Sequence, residues 1–434
     1  MKLIKSKSLP TAVLAVLCLV PIARWFFLEP LSLRFLNLNT TMTSLGQIAG
    51  LLGMTIFAIN LILSSRSTFF DRIFGGLHRF YGAHRFLGSL SFSLLLFHPL
   101  FLVVKYVSVS VRSAALFLLP GNGLAMDAGI WALTLMIILL ILTIFVKIKY
   151  HVWRISHKVM VVVFVFALVH TFLITSDISR DLFIRYYILF FSVWGLLAGA
   201  YRSFFRKFFN NDYEYEIKAV RVLHDKIVEL ELKPNERAMD FRPGQFIYIR
   251  FVATGISSEP HPFSISSSVS EEKIKLVIKS LGDFTSDFDK MRTGMKVMIE
   301  GPFGSFFEDS QSDKKEIWIA GGVGITPFLS MARSLKEGNH NIDLYYCVAE
   351  KKELVLLAEL QTVMSANKKF RVLPWISKEQ GRISAKEIAT QSGNLIREEI
   401  YICGPSAFMK SLTEQFISLG VNDKNIHAEE FSML

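Results

Sequence analysis

Two stretches of sequence decide the fold of the first half of this chain: HRFLGSLSFSLLLFH (residues 84–98) and HKVMVVVFVFALVH (residues 157–170). Each begins and ends with histidine, and the positions between are mostly apolar. The separations of 14 and 13 residues each correspond to a rise of roughly 20 Å along an α-helix. These stretches therefore predict two membrane-spanning helices, each with one histidine toward each face of the bilayer.

The composition agrees with a membrane assignment. The 434 residues are 51% hydrophobic and 20% charged, with a mean hydropathy of +0.39, which is too apolar for an ordinary soluble enzyme. Residues 1–209 carry a net charge of +15 and the remainder −4. The second half has no basic patch with interleaved aromatics, which excludes nucleic acid as a partner. The three cysteines, Cys18, Cys347 and Cys403, form no CxxC pair and exclude a disulfide scaffold.

Six segments are long and apolar enough to cross the bilayer. They are residues 9–29, 44–64, 86–107, 128–147, 157–176 and 184–204. The first lacks a small-residue cleavage site, so we expect a retained helix rather than a signal peptide. With the N-terminus in the cytoplasm, fourteen basic residues flank the inner ends of the spans and six the outer ends. We therefore expect a multi-pass membrane protein with its N-terminus and residues 208–434 in the cytoplasm.

The histidines predict a cofactor. The third and fifth spans run in the same direction, so His84 lies level with His157 and His98 with His170. Two imidazoles facing each other across a helix bundle suit bis-histidine haem ligation, which predicts two b-type haems. In a regular helix, a separation of fourteen residues puts His98 within about 40° of the face that carries His84. A separation of thirteen puts His170 about 140° away from the face that carries His157. A bulge, a tilt or different approach angles could absorb that misfit, and plain interhelical hydrogen bonding is the alternative role.

Other residues near these histidines have two interpretations each. Phe164 lies between the two predicted haem levels, where it could assist electron transfer or simply fill the core. Small residues near His84 and His98 could admit a macrocycle or could serve helix packing. They are Gly82, Gly88, Ser89, Ser91 and Ser93.

The second half predicts two soluble domains. From Tyr213, short alternating runs such as KIVELEL and QFIYIRF indicate a small antiparallel β-barrel. After Lys314, strands alternate with helices, which indicates a doubly wound parallel α/β sheet. The predicted domains are a six-span haem domain over 1–208, a barrel over 212–310 and an α/β domain over 314–434. The first strand of the α/β domain ends in a glycine-rich turn suited to a pyrophosphate, Gly321-Gly322-Val323-Gly324-Ile325-Thr326-Pro327.

Five motifs then carry a resemblance. They are FRPGQF (241–246), HPFSIS (261–266), GPFG (301–304), the GGVGITP turn (321–327) and CGP (403–405). In this order they resemble the flavin and nicotinamide modules of the ferredoxin-NADP reductase superfamily. Preceded by six spans with paired histidines, the whole chain resembles the NADPH oxidase and ferric reductase family, in particular its bacterial single-chain members.

The resemblance implies roles for individual residues. An FAD-binding β-barrel of this family would hold FAD through His261, Pro262, Phe263 and Ser264 and would contact its phosphates through Lys279, Gly282 and Thr285. An ordinary edge-strand charge is the alternative for Lys279. Phe431 matches the near-terminal aromatic that covers the flavin, with core packing as its alternative. Cys403, followed by Gly404 and Pro405, would lie beside the nicotinamide or else fill a tight turn. Phe431, Cys403 and Ser264 are thus the expected residues at the hydride-transfer centre.

Three departures from the family pattern bear on specificity. No arginine follows the second strand of the α/β domain, where this chain has Glu350, but Arg382 matches another phosphate-binding arginine. NADPH is therefore the expected donor, and NADH remains possible. Leu102 stands where oxidases often have a further histidine, which weakens the case for oxygen reduction. No EF-hand pattern precedes the spans.

The sequence thus predicts electron transfer from NAD(P)H through FAD and two haems to an external small molecule. The expected acceptor is oxygen, giving superoxide, with Arg34 as a source of positive charge, and a ferric or cupric chelate is the alternative. A haem-binding scaffold with a degenerate reductase half is the alternative from another functional class. No obligatory protein partner is evident.

Overall fold

The computed structural model describes residues 9–65, 73–74, 77–146, 150–201, 212–224, 226–252, 259–280, 290–304, 306, 315–335 and 341–429. The chain divides into two compact units at residues 210 and 211, a membrane unit and a soluble unit. The domain limits predicted at residues 208, 310 and 314 lie outside the described residues, as do ten of the fourteen basic residues at the inner ends of the predicted spans.

The six predicted spans are confirmed as helices long and apolar enough to cross a membrane. We number them span 1 to span 6: Leu9–Phe26, Leu38–Leu63, Leu77–Val107, Leu124–Ile144, Tyr150–Lys158 with Met160–Leu173, and Leu182–Ala200. Span 2 begins six residues earlier than hydropathy indicated. The reason is a capping box, in which the Asn37 side chain accepts from the Thr40 amide and the Thr40 hydroxyl accepts from the Asn37 amide.

Span 5 is two helices that meet at Val159. The Val159 amide donates to the Ser156 carbonyl at 3.0 Å, and the Val162 amide donates to the Val159 carbonyl at 2.8 Å. These bonds join residues three apart, so the chain turns further per residue here than in an α-helix. The break lies between His157 and His170, and its extra rotation reduces the angular misfit that a 13-residue separation gives in a regular helix.

The first half of the soluble unit is a curled antiparallel sheet of six strands in the order β4-β3-β6-β1-β2-β5. The strands are β1 Tyr213–His224, β2 Ile227–Pro234, β3 Phe246–Phe251, β4 His261–Ser264, β5 Ile274–Lys279 and β6 Lys296–Phe303. An isolated antiparallel bridge between Ile265 and Leu276 joins the two edges of the sheet. The apolar side chains that the alternating pattern placed inward form one buried cluster inside the curl.

The second half is a parallel sheet in the order β11-β10-β7-β8-β9. Its strands are β7 Glu316–Gly321, β8 Ile342–Val348, β9 Phe370–Ile376, β10 Glu399–Cys403 and β11 Ile426–Glu429. Every residue of β7 and β8 is buried, as expected for central strands covered on both faces. The strand order reverses between β7 and β10, and in such sheets ligands bind at the carboxyl ends of the strands beside that reversal.

Candidate functional site

The structure brings the predicted histidine partners of the membrane unit together. The ring centroids of His84 and His157 are 6.3 Å apart, and those of His98 and His170 are 6.2 Å apart. A metal–imidazole bond of about 2.0–2.1 Å, extended to the ring centre on both sides, separates two centroids by roughly 6 Å. Each pair therefore has the spacing at which one metal ion fits between two imidazole nitrogens. Among the described residues no group of three or more metal-binding side chains forms.

Hydrogen bonds orient the rings of the His98–His170 pair. Nδ1 of His98 lies 2.7 Å from the Gly46 carbonyl oxygen, and Nδ1 of His170 lies 2.7 Å from the Ala125 carbonyl oxygen. Because a carbonyl oxygen only accepts, each Nδ1 must carry the hydrogen and donate it. The lone pair is then on Nε2, which is the tautomer that a metal ligand needs.

A cavity of about 610 Å³ surrounds the His98–His170 pair. This volume is in the range of cofactor and ligand pockets. Its wall is mostly apolar and includes Leu102, the residue that departs from the oxidase pattern, and Phe57, which the sequence did not single out. Phe57 contacts the fully buried Phe164 edge to face, with ring centroids 4.9 Å apart. Phe164 is thus part of the packed core behind the cavity wall.

Two basic residues lie near this cavity, one of them buried in an ion pair and the other exposed. Arg34 is 4% exposed, and its guanidinium lies 3.2 Å from Asp177 and 3.7 Å from the centroid of the Trp25 ring. Asp177 therefore neutralises Arg34, which makes it a poor source of free positive charge. Lys105 lines the cavity, is exposed, and forms no ion pair within the described residues.

Of the small residues near His84 and His98, two serve helix packing. The Ser91 hydroxyl donates to the Gly53 carbonyl of span 2 at 2.9 Å. A Cβ on Gly88 would lie 3.1 Å from the Asn60 amide nitrogen. Gly82, by contrast, has no atom within 4 Å of an added Cβ, so its two interpretations both remain.

In the soluble unit, the HPFS motif forms strand β4. His261 and Ser264 are buried, at the two ends of β4, and pair with Ile249 and Phe246 of β3. The hydroxyls of Ser266 and Ser267 follow; both are buried and have no hydrogen-bond partner among the described residues. Buried hydroxyls in this state are suited to a polar ligand group. Gly282, Thr285 and Phe431 lie outside the described residues, so their predicted contacts with FAD stay predictions.

The glycine-rich turn and the CGP motif meet at the carboxyl ends of neighbouring strands. Cys403 pairs with Ala320 across β10 and β7. A Cβ on Gly324 would overlap the Cys403 carbonyl and lie 2.9 Å from the Gly404 Cα. A Cβ on Gly321 would lie 3.2 Å from Pro405 Cδ. The two motifs thus lie against each other at the point where the strand order reverses, and Ile325, Thr326 and Pro327 begin the helix that follows the turn.

Lys279 and Cys403 have other neighbours in the structure as well. Lys279 Nζ lies 3.2 Å from Glu353, in an ion pair between the two soluble domains. It lines the same small pocket as Gly322 and Val323. The Cys403 side chain is fully buried in an apolar cluster. The contact of Lys279 with FAD and that of Cys403 with nicotinamide stay predictions.

Charged residues that the sequence analysis did not emphasise hold the soluble domains together. The Arg333 guanidinium lies 2.8 Å from Glu359, 3.3 Å from Glu229 of β2 and 2.7 Å from the Ser266 carbonyl. The Ser330 hydroxyl donates to the Ser267 carbonyl at 2.7 Å. The segment after HPFS is therefore fixed to the first helix of the α/β domain, Ile325–Arg333.

The residues after β8 and β9 carry both signs of charge. Hydrogen bonds from Lys378 and Lys352 lower the pKa of Glu350 to about 2. An acid at the end of the second strand is the group that accepts from the ribose hydroxyl of NAD in many such folds, whereas an arginine there accommodates the phosphate of NADP. Arg382 is exposed in the turn after Gly381.

Comparisons with known proteins agree with this architecture. Family models match residues 49–168 as a ferric reductase like transmembrane component, 213–306 as an FAD-binding domain and 318–414 as an oxidoreductase NAD-binding domain. The ferredoxin reductase component of 3-ketosteroid-9-alpha-monooxygenase from Mycolicibacterium smegmatis is 26% identical over 200 residues, which are 45% of this chain and 56% of that protein. A flavohemoprotein from Rhodopirellula baltica is 27% identical over 234 residues, 47% of this chain and 57% of that one.

The chain thus spans about half the length of these curated relatives. Among solved structures, a cytochrome P450 reductase from Amycolatopsis is similar with a TM-score of 0.45 and 18% identity, covering 51% of this chain and 70% of that one. The chain belongs to the oxidoreductases that join a ferric reductase-like transmembrane component to ferredoxin reductase-type FAD and NAD domains. Its parts are those of a multi-pass, NAD(P)H-dependent flavoprotein.

Proposed function

We propose that this protein carries electrons from NAD(P)H through FAD and two b-type haems to an acceptor on the other side of a bacterial plasma membrane. The observation that carries the proposal is the pair of facing histidines repeated at two depths, each with ring centroids about 6 Å apart. A single such pair could be an interhelical contact, but two at matched positions on the same two spans favour two haem sites.

The residues present suit these groups. His84 with His157 and His98 with His170 would hold the haem irons, and the apolar cavity around the second pair would accept a macrocycle. His261, Pro262, Phe263 and Ser264 would hold the flavin, with Lys279, Gly282 and Thr285 at its phosphates and Phe431 over its ring. When bound, these groups supply hydride acceptance at the flavin and single-electron transfer at the iron. At the His98–His170 pair, the membrane unit contributes Nε2 atoms in the tautomer that a metal ligand needs and a mostly apolar wall.

The nucleotide site is formed where the glycine-rich turn meets Cys403, Gly404 and Pro405. Amides of the turn and the N-terminus of the helix Ile325–Arg333 would receive the pyrophosphate. We propose NADPH as the donor, with Arg382 on its 2′-phosphate. NADH is the alternative, and the acidic Glu350 favours it. Arg382→Ala should lower kcat/KM for NADPH about tenfold and leave that for NADH nearly unchanged, with the exposed Arg397→Ala as control. Equal loss for both donors would show that Arg382 does not bind the 2′-phosphate, and a higher kcat/KM of wild type for NADH would favour the alternative.

We propose oxygen, reduced to superoxide, as the acceptor. The cavity around His98 and His170 is mostly apolar, and the aromatic residues Tyr106 and Phe117, stacked 4.5 Å apart, form part of its wall. A small apolar molecule enters such a space at less desolvation cost than a hydrated metal chelate. A ferric or cupric chelate is the second candidate, and the exposed Lys105 favours it because many chelates are anionic.

The proposal is tested with detergent-purified holoprotein reduced by NADPH or NADH under argon. We expect low-spin haem bands in the reduced-minus-oxidised spectrum, and His98→Ala should lose about half of the haem. His224→Ala, in strand β1, is the matched control. If wild type shows no haem bands, the relay is wrong and the membrane unit is an anchor for a flavin reductase.

The acceptor is identified by admitting oxygen or a ferric chelate to the reduced protein separately. Dye reduction that superoxide dismutase abolishes would support oxygen. If haem reoxidation needs the ferric chelate, and Lys105→Gln slows it severalfold, the second candidate is correct.

A further inference from the structure

Two glycines in the membrane unit lie directly against the rings of the His98–His170 pair. A Cβ added to Gly50, in span 2, would lie 2.7 Å from His98 Nδ1 and 2.9 Å from its Cε1. A Cβ added to Gly129, in span 4, would lie 2.7 Å from His170 Nδ1 and 2.9 Å from its Cγ. Such separations are well inside van der Waals contact, so neither position admits a side chain while the ring stays in place.

Each glycine is also one helical turn from the carbonyl that binds the same ring. Gly46 accepts from His98 and lies four residues before Gly50, and Ala125 accepts from His170 and lies four residues before Gly129. Residues four apart lie on the same face of a helix. Each ring therefore docks in a notch in which the glycine provides the space and the preceding carbonyl provides the acceptor.

The same notch occurs on two different spans and serves the two members of one pair. Helix packing alone would not require this repetition. The neighbouring Gly46 and Gly53 serve ordinary helix packing by comparison. A Cβ on Gly46 would lie 2.7 Å from the Leu102 side chain, and a Cβ on Gly53 would lie 2.8 Å from the Leu95 side chain. Only Gly50 and Gly129, among the glycines of the described spans, would meet a histidine ring.

We propose that Gly50 and Gly129 are positioning residues for the haem ligands His98 and His170. Together with the Gly46 and Ala125 carbonyls, they set the rotation of each imidazole about its Nε2 axis and hold its Nδ1–H tautomer. The angle between the two ring planes, 72° in this structure, and the electron donation of each ring then depend on these notches. This inference rests on the proposed haem ligation by that pair.

Gly50→Ala and Gly129→Ala test the proposal in the full-length holoprotein. The matched control is Gly199→Ala in span 6, where the added methyl would lie 3.6 Å from Val161, an ordinary contact. The readouts are haem per protein, the electron paramagnetic resonance spectrum of the oxidised haems, and the midpoint potential of each haem. FAD content reports whether the soluble unit is intact.

We expect each notch variant either to lose about half of the haem or to keep both haems with a changed resonance and midpoint potential for one of them. Gly199→Ala should match wild type in all three measurements. If both notch variants keep two haems with unchanged spectra and potentials, the proposal is wrong. If both notch variants aggregate while Gly199→Ala behaves like wild type, the proposal is also wrong, and the two glycines serve helix packing only. A wild type without haem would instead refute the proposed function itself.

Discussion

At the scale of single residues, the proposed nucleotide site contains a glycine that has no room for a side chain. A Cβ on Gly324 would overlap the Cys403 carbonyl, so the turn after β7 could not approach the CGP turn after β10. Gly324 is therefore required for close approach of two backbones rather than for an unusual dihedral angle. This requirement follows from the strand order, which places the turns after β7 and β10 side by side.

We predict that Gly324→Ala weakens NAD(P)H binding while FAD stays bound. Overpacking of this kind costs about 1–3 kcal/mol, and about 1.4 kcal/mol corresponds to a tenfold change in affinity. The KM for the nucleotide should therefore rise about tenfold or more in steady-state assays of the holoprotein. Gly199→Ala is a suitable control. An unchanged KM would show that the turn can move apart without loss of the site.

The buried Arg34 has a structural role in this fold rather than that of an acceptor site. Its ion pair with Asp177 connects the segment after span 1 to the one before span 6. Removing one partner of a buried pair costs about 3–5 kcal/mol. We predict that Arg34→Gln lowers the Tm of the purified protein by roughly 10 °C, at about 2–4 °C per kcal/mol.

Arg180→Gln is the matched control, because Arg180 is 67% exposed and its pair with Glu29 spans 4.0 Å. Exposed pairs contribute at most about 1 kcal/mol. A variant Arg34→Gln with unchanged Tm but a reduced rate of oxygen consumption would show that the arginine acts on the acceptor after all.

At the scale of secondary-structure elements, one carboxylate joins three elements of the α/β domain. Asp343 of β8 is 1% exposed and lies 2.6 Å from Arg371 of β9, 2.6 Å from Lys315 and 2.6 Å from Ser392 of the helix Ala385–Ser392. Burial alone would raise the pKa of Asp343, but hydrogen bonds from Arg371, Lys315 and Ser392 outweigh it and lower that pKa below the usual value.

A lowered folded-state pKa gives a defined pH dependence. The Asp343 carboxylate contributes stability that is fully present above its unfolded pKa of about 3.9 and is lost as pH falls through the folded value. We predict that Asp343→Asn lowers the urea midpoint for loss of flavin at pH 7 and weakens its further fall below about pH 4. Glu414→Gln, at an exposed side chain 4.0 Å from Lys410, should change the midpoint little. Equal effects of the two variants would contradict this account.

At the scale of the whole molecule, the charge distribution predicts sidedness. With the basic inner segments in the cytoplasm, the soluble unit is reached only by cytoplasmic NAD(P)H. In sealed membrane vesicles, added NADPH or NADH should therefore reduce the haems in inverted vesicles and not in right-side-out ones until detergent is added. Haem reduction in intact right-side-out vesicles would reverse the proposed orientation.

Much of this architecture could be predicted from the sequence because it depends on local patterns. Apolar run length predicted six spans, and the matched depth of His98 and His170 predicted that they face each other. The notch at Gly50 could not be predicted, since it depends on which turn of span 2 packs against span 3. The neutralisation of Arg34 likewise needs Asp177, which is 143 residues away. Tertiary packing decides such contacts, and no periodic pattern in a single sequence indicates them.

The two histidine pairs on spans 3 and 5, described above, also have an electrical consequence. An electron that passed from the first pair to the second would cross much of the hydrocarbon layer without a companion proton, so turnover would be an outward current of negative charge. Each 100 mV of membrane voltage, negative inside, would favour that current by about 2.3 kcal/mol per electron. Turnover would thus lower the membrane potential that favours it. Sustained turnover would require a compensating outward flow of cations.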